Sequence, residues 1–562
     1  MHREKSFRHI GGDKLPTIEA SKKDLEKLIG KKFSRNELDE ALLFVKGELD
    51  KVEGDILTID IKETNRPDLW SAEGIAREIR ARIGLEKGIP KYKIEKSKLV
   101  VSIEKSVKDV RPYTVAAIIK NIKITGELIK QLVQLQEKVD GTHGRKRKES
   151  ATGIYDYDKI KGNIRYYGAD PKKKKFTPLE YKVEMDLDEI LEMHPKGKEY
   201  AHLLKGKKVY PIFEDSEGNV LSMPPVINSN YSGKVTENTK NLFIEVSGFQ
   251  IETILVGLRV IVMALADRGG KIESVTIADS NGKKLITPNF NTEKIILDPE
   301  YVRKISDLNL TNKQMISLLE KARYNVKTKG KKLEVEYPPY RKDIIHPVDV
   351  IEDIIIGYGY NNIKPKKIEM SVVGEELPQR IYLDKVRDVC TGLGLQEVLT
   401  FNLTSKEKQL NKIFSKEELV EISNPVSTNW EVMRKKLAPE LLDFLAKNKH
   451  AEYPQRIFEI GTTLSPDSKK EEGVDQSYNL GIVISDSRAN FTLAKSILDA
   501  VCKNMGIAYS LKETNLGFLE HGKSGKIESK NGKGFLGELN QNCLSNFGLN
   551  TKTIVIELEL VH

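Results

Sequence analysis

The sequence predicts a multidomain α+β protein, and three observations lead there. The chain is 562 residues long, which at ordinary domain sizes suggests about three to five domains. Apolar residues make up 39% and charged residues 31%, enough apolar matter for several cores and too much for a disordered chain. Segments of period-2 alternation and segments of helical spacing succeed one another throughout, with no internal repeat and no low-complexity linker.

Each region can be justified in order. Residues 1–14 read as a loose polar tail without the apolar core of a signal peptide. Residues 15–95 read as a small α+β module. In it Ser34 to Glu37 matches a capping box, with Leu38, Ala41, Leu42 and Val45 on one helical stripe. Asp55–Ile61 alternates like a half-buried strand. Asn65-Arg66-Pro67-Asp68 is a turn, and the segment from Leu69 to Gly84 has the spacing of an amphipathic helix. Residues 96–280 hold strands within 100–107, 113–122, 208–213, 219–222 and 241–246, and a helix over Glu127–Val139. Ile251–Leu265 reads as a buried helix or strand-helix, and Asn281-Gly282 is a hairpin signal. Residues 284–363 mix short strands with helices over Asn312–Ala322 and from Pro347. Residues 366–562 open with a helix over Gln379–Leu393 and then alternate strands and helices, with a second hairpin signal at Asn531-Gly532.

Charge and cysteine content exclude several functions. Lys+Arg is 92 against 82 Asp+Glu, a net +10, which permits local nucleic-acid patches and argues against a histone-like tail protein. The three cysteines, Cys390, Cys502 and Cys543, are far apart. They exclude a disulfide scaffold and a cysteine-rich zinc site, and suggest a reduced, cytoplasmic protein. No run of 18 apolar residues occurs, so no membrane span is expected. Gly517 to Ser524 matches GxxxxGK[ST] literally. Its interior, Phe518-Leu519-Glu520-His521, is bulky and acidic, and the residues after Ser524 have strand chemistry, so a surface strand connection is the better reading. Gly357-Tyr358-Gly359 is explained by a helix C-cap as well as by a ligand loop.

The densest acidic cluster is Asp343, Asp349, Glu352 and Asp353. The last three fall at i, i+3 and i+4 on a helix that Pro347 begins. Four carboxylates so placed suit Mg²⁺; alternatively they stabilise a helix N-terminus through its dipole. Two basic runs, Arg145–Lys148 and Lys172–Lys175, are ordinarily just solvated.

Four segments, in order, carry a family resemblance. TNRPDLWSAEGIAREI (64–79), GTHGRKRKESATGIYDYDKI (141–160), YPPYRKDIIHPVDVIEDIIIGYGYNNI (337–363) and NPVSTNWEVMRKKLAPELLDFLAKN (424–448) with RIFEIG (456–461) after it resemble the β subunit of phenylalanyl-tRNA synthetase, in its archaeal and eukaryotic-cytosolic form. The resemblance covers nearly the whole chain after residue 14. It implies a ligase working as an (αβ)₂ heterotetramer with an α subunit, which binds ATP and phenylalanine and charges tRNA(Phe). It implies an editing domain at 96–280 that hydrolyses mischarged Tyr-tRNA(Phe), with a pocket of Phe213, Ser222, Asn228 and Glu245. Glu245 stands where the family pattern leads one to expect Asp, and Asn228 could equally cap a turn. It implies a winged-helix-like α+β module at 284–363 in which Asp343, Asp349, Glu352 and Asp353 are linked to Mg²⁺. It implies a catalytically silent class II synthetase-like antiparallel-sheet module at 366–562. There Arg434 reads as a structural ion-pair residue, because the C-terminal part holds no Gly-rich segment ending in arginine to bind ATP phosphates. Near an editing pocket the basic runs could hold a tRNA acceptor end. The apolar segments Ile482–Ile484 and Thr553–Leu560 suit a large partner interface. The rival reading is a free-standing RNA-binding or trans-editing protein without a synthetase partner; a weaker one is a scaffold with a dead editing site.

Overall fold

The computed structural model describes residues 17–368, 370, 372–530 and 532–560; the expected tail at 1–14 lies outside them. The chain forms two compact units, the first ending at Lys366 and the second beginning at Lys367.

The first unit opens with a three-stranded antiparallel sheet, Thr17–Ser21, Ile56–Ile61 and Gly47–Glu53, with Ile56–Ile61 in the middle. Ser34 caps the helix Arg35–Leu43 with both capping-box bonds formed to Glu37. The helix Ala72–Arg82 starts from Ser71, whose hydroxyl accepts from the Gly74 N–H. The spacing predicts a polar outer face for it, and the structure differs. Its polar residues Glu73, Arg77, Glu78 and Arg82 are buried along with its apolar ones. The reason is electrostatic: each of these charges meets an opposite charge carried by another segment.

Next comes a ten-stranded mixed sheet. Ile94–Ile103 lies parallel to both Ile164–Ala169 and Lys271–Ala278. The antiparallel strands Tyr113–Lys120, Leu242–Gly248 and Ser150–Asp156 extend one side, and Tyr210–Asp215, Val220–Met223 and Ile227–Asn228 the other. The strand Lys284–Thr287 pairs with Lys271–Ala278 across the turn that contains Gly282, whose φ is +82°. The apolar segment expected as a helix or strand-helix is a helix, Ile251–Asp267, packed across Tyr113–Lys120 and Leu242–Gly248. A further three-stranded antiparallel sheet, Glu293–Leu297, Lys332–Tyr337 and Asn325–Lys329, carries the helices Pro299–Ser306, Asn312–Lys321 and Pro347–Tyr358 around one core. Gly359, at φ +93°, ends the last of these.

The second unit is built on a seven-stranded sheet, antiparallel except for one parallel edge pair. Helices Pro378–Gly392 and Phe491–Met505 cover one face, and Ala438–Lys447 and Gln541–Phe547 the other. This corrects the expectation that Ile482–Ile484 and Thr553–Leu560 form a partner interface. They are paired central strands. Ile482, Ile484, Ile554 and Ile556 point into one core, and Val483 and Val555 into the other. A sheet covered on both faces gives continuous apolar runs that look like interface in sequence. Residues 519–529, which overlap the rejected phosphate-loop match, form a strand. It pairs with Gly532–Leu539, although residue 531 of the expected hairpin lies outside the described residues. Among the described residues no helix is long and apolar enough to cross a membrane.

Gly74 offers a test of the first unit. A Cβ there would land on the Asp68 carbonyl oxygen, far inside contact distance. The backbone at both positions is fixed by buried neighbours, so Gly74→Ala should destabilise the first unit by about 3 kcal/mol, at the upper end for overpacking, read as a lowered melting temperature of the full chain.

Candidate functional site

A cavity of about 490 Å³ opens in the region of the ten-stranded sheet. Its walls come from the helix Gly126–Lys138 through Ile129, Leu132 and Val133, and from the turn at 224–226 with the strand Ile227–Asn228 after it. Its polar floor is made by Ser222 and Glu245. These two are joined by a residue that sequence reasoning passed over: the Tyr155 hydroxyl lies 2.7 Å from Ser222 Oγ and 3.0 Å from Glu245 Oε1. Burial pushes the Glu245 carboxyl up to about 8, against a smaller opposing effect of the Tyr155 bond. Glu245 therefore keeps its proton at neutral pH. The Tyr155 hydroxyl has one proton to give, so it serves Ser222 and Glu245 as donor to one and acceptor from the other. The other carboxyl oxygen, Glu245 Oε2, is buried with no hydrogen-bond partner. Gly153 makes this arrangement fit, since a Cβ there would overlap the Tyr155 hydroxyl and crowd Glu245.

Asn228 lines the same cavity, half-buried, with its amide donating to the Ile154 carbonyl at 3.3 Å. Phe213 does not reach the wall. It is fully buried and stacks on Tyr166 with ring centroids 4.3 Å apart, in the core layer that also packs Tyr155 and Phe243. The reason is register: Phe213 pairs directly with Ser222, one strand further into the sheet than the cavity. So the structure brings Ser222, Asn228 and Glu245 together and places Phe213 behind them.

One end of the cavity is held by the first basic run. Arg145, Lys146 and Arg147 have φ of +49°, +54° and +64°, a left-handed stretch disfavoured for such residues. Buried Arg111 donates to the carbonyls of Arg147 and Lys148. Arg147 in turn donates to the carbonyls of Pro225 and Val226 and lies over the Tyr200 ring. Arg147 is thus part of the wall, while Arg145, Lys146 and Lys148 are exposed. Asp140, which accepts from Thr152 N and Oγ1, is pushed by burial to about 6, with Arg147 opposing. The sequence hints only at Arg145–Lys148 and Thr152, which fall in the dense segment 141–160; Arg111, Asp140 and Tyr200 lie outside it.

Of the two roles that its spacing allows, the acidic cluster takes the helix N-terminus one at Asp349 and pairs its other members with basic residues. Asp343 and Asp353 both accept from Arg341 Nη2, at 2.6 and 2.7 Å. Asp353 also meets Arg82 and the Tyr324 hydroxyl. Asp349 caps its own helix, accepting from the N–H groups of Ile345 and His346. Glu352 is exposed and paired with Lys46. The four carboxylates do not gather round one point, and among the described residues no group of three or more such ligands does. Arg66, Arg82 and Arg341 already supply the counter-charge, so this cluster does not fit a Mg²⁺ site. Burial opposes ionisation of Asp353, but Arg341, then Arg82 and Arg66, outweigh it and hold the carboxyl well below the usual range. Asp343 and Glu78 are lowered in the same way.

In the second unit, Arg434 is buried. It donates to Glu459 at 2.6 Å, Thr400 Oγ1 at 2.8 Å and the Thr462 carbonyl at 2.8 Å. Its guanidinium lies where a side chain on Gly461 would be. These bonds commit its Nε and Nη1, and its Nη2 lies against Gly461.

Comparison with known proteins decides the family. A phenylalanine–tRNA ligase β subunit from Pyrococcus horikoshii is 44% identical over 97% of this chain and 99% of its own. The chain belongs to the phenylalanine–tRNA ligase β-subunit family. The corresponding subunit of Archaeoglobus fulgidus is 35% identical over 97% of this chain and 98% of its own. Three domain families match in order: the B3/4 domain at 100–263, the tRNA synthetase B5 domain at 295–360 and the phenylalanyl-tRNA synthetase beta chain CLM domain at 363–560. The crystal structure of an N-terminal fragment of the P. horikoshii β subunit covers 61% of this chain and all of the fragment, with 47% identity and a TM-score of 0.60. As a member of this ligase family the chain is part of an aminoacyl-tRNA synthetase, and the cavity lies in its B3/4 domain.

Two outcomes are expected. Asp353→Asn removes the carboxylate that Arg82 and Arg341 share, leaving them Glu78 and Asp343 respectively, and should cost about 1.5–3 kcal/mol, the worth of a hydrogen bond to a charged group. The stability these depressed acids confer is present above the ordinary carboxylate range near pH 4 and is lost as pH falls below it, so the wild-type and variant melting curves should converge on acidification. Glu245 has the opposite sign. Its folded value of about 8 lies above its unfolded value of 4.5, so its contribution is full below pH 4.5 and is lost as pH rises towards 8, by at most about 1.4 kcal/mol per pH unit. The melting temperature of Glu245→Gln relative to wild type should therefore rise with pH between 5 and 8.

Proposed function

We infer that the cavity is an editing site that hydrolyses tRNA(Phe) mischarged with tyrosine, and that an α subunit carries the aminoacylation site. The observation that supports this most is the partnerless oxygen Glu245 Oε2, shielded from solvent on a residue that lines the cavity. A tyrosine side chain would bring a phenol O–H to donate to it; phenylalanine would bring none and leave the oxygen unpaired. That asymmetry is what a phenylalanine-binding site lacks, because an apolar pocket rejects one added hydroxyl poorly. Glu245, longer than the Asp expected by resemblance, reaches Tyr155 and still presents an oxygen. Asn228, on the wall, is placed to orient the ester or the attacking water. Ile129, Leu132 and Val133 supply apolar wall for the ring. Lys196, Lys234 and Arg147 line the cavity beside Glu137 and Glu180, a balance that leaves one positive charge for the tRNA end.

In the second unit Arg434 is spent on Glu459, consistent with a synthetase-like module silent in catalysis. The Mg²⁺ that ATP requires then belongs with the α subunit's site, and ATP and phenylalanine are bound there. An exposed apolar patch favours a synthetase partner over free-standing trans-editing. Leu399, Phe401 and Val426 are exposed, and Phe401 meets Trp430 edge-on at 5.4 Å. Such a patch suits burial in an (αβ)₂ assembly working in the cytoplasm.

The test is Asn228→Ala in the αβ complex. Deacylation of Tyr-tRNA(Phe) should slow by about 5- to 150-fold, the cost of one buried hydrogen bond. Phenylalanine charging and the melting temperature should stay near wild type. Equal loss of both activities with a lowered melting temperature would mean that Asn228 is a turn cap only.

A further inference from the structure

The first unit has a second cavity of about 470 Å³, nearly as large as the first and built from other residues. It lies where the helix Ala72–Arg82, the segment 86–92, the end of the helix Ile251–Asp267 and Arg323 meet. Five basic residues line it: Arg77, Arg80, Arg323, Lys87 and Lys91. Three acids do so as well, Glu73, Glu86 and Asp267, which leaves a surplus of two positive charges. The acids are already committed. Asp267 pairs with Arg77, Glu86 with Arg80 and Arg323, and Glu73 with Arg268 behind the wall. Lys87 and Lys91 are exposed at the rim with no ion pair among the described residues. The Arg80 Nε–H is shielded from water and has no acceptor.

The wall is preformed. Gly88 N–H donates to the Glu320 carbonyl at 2.8 Å, Ile89 N–H to Asn325 Oδ1 at 3.2 Å, and the Tyr92 hydroxyl to Asp267 Oδ1 at 2.9 Å. Gly88 sits at φ +71° with Asn325 Oδ1 where a Cβ would be, so this segment has one seating on the molecule. A fixed cavity with surplus positive charge and two free ammonium groups at its rim matches a ligand with several negatively charged oxygens. Its size is within the range of small-molecule sites, about 300–1,000 Å³. We propose that this second cavity binds a small phosphate-bearing anion, held by Lys87 and Lys91. The site is independent of the editing reading, since it shares no residue with the first cavity. The same chemistry is offered by free phosphate, by pyrophosphate and by a nucleoside monophosphate; the last two are products of the ligase's own ATP-consuming reaction.

The experiment is calorimetric titration of the full chain with inorganic phosphate, pyrophosphate and AMP, each alone, at low and at moderate salt. At least one should bind at a ratio of one per chain, more weakly as salt rises. Preference for pyrophosphate would identify the charge-dense oxyanion as the ligand, and preference for AMP the nucleotide. Lys87→Ala/Lys91→Ala should weaken that binding about tenfold or more. These rim side chains carry no packing, so the unliganded variant should melt with the wild type. No binding by any of the three at millimolar concentration would overturn the proposal. So would binding that the double variant leaves unchanged, because the anion would then sit elsewhere.

Discussion

A guanidinium buried without a carboxylate is too costly to persist, and the first unit is organised by that constraint. Arg66, Arg82 and Arg341 come from the N-terminal module and from the segment before the helix Pro347–Tyr358. They share Asp68, Glu78, Asp343 and Asp353 among them. Only when both segments are docked is every charge matched. Buried ion pairs are weak evidence of stability but good devices for fixing how surfaces meet, since a shifted docking strands a charge. Arg268 to Asp24 and Glu73, and Arg77 to Asp267, extend the same logic to the helix behind the B3/4 domain. The cavity walls are thus attached to a frame with one favoured assembly.

The cavity floor works differently. Glu245 is buried beside a tyrosine and a serine rather than an arginine, so it stays neutral where Asp353 stays charged. Two carboxylates in one unit are driven in opposite directions by their neighbours. The charged one is used for assembly, and the neutral one keeps a buried oxygen without a partner beside the cavity.

Much of the fold was legible because its signals are local. The capping box at Ser34, the glycine stop after Tyr358 and the alternation of Ile56–Ile61 each depend on a few adjacent residues. Ser222, Asn228 and Glu245 could be placed near one another through family resemblance. What could not be read depended on distant partners. Spacing put acids on one helix, but not the arginines 271 and 12 positions away that claim Asp353. Ile482–Ile484 and Thr553–Leu560 are apolar because both faces of their sheet are covered, which a linear pattern shares with an interface. Tyr155 was hidden for the same reason. Its role exists only once three strands align its hydroxyl with Ser222 and Glu245.

Gly153 sets a limit on how such a floor can change over time. Every substitution at this position adds a Cβ where the Tyr155 hydroxyl already sits. A lineage carrying this arrangement therefore cannot reshape the floor one residue at a time from that strand. Replacement of Gly153 becomes tolerable only after both the Tyr155 ring and the Glu245 carboxyl have moved, since Tyr155 Cζ and Glu245 Oε1 would lie 2.6 and 2.5 Å from the new Cβ, and that first step strips Glu245 of its partner. The three positions are bound into one heritable unit, and the order in which they can vary is fixed by a single missing atom.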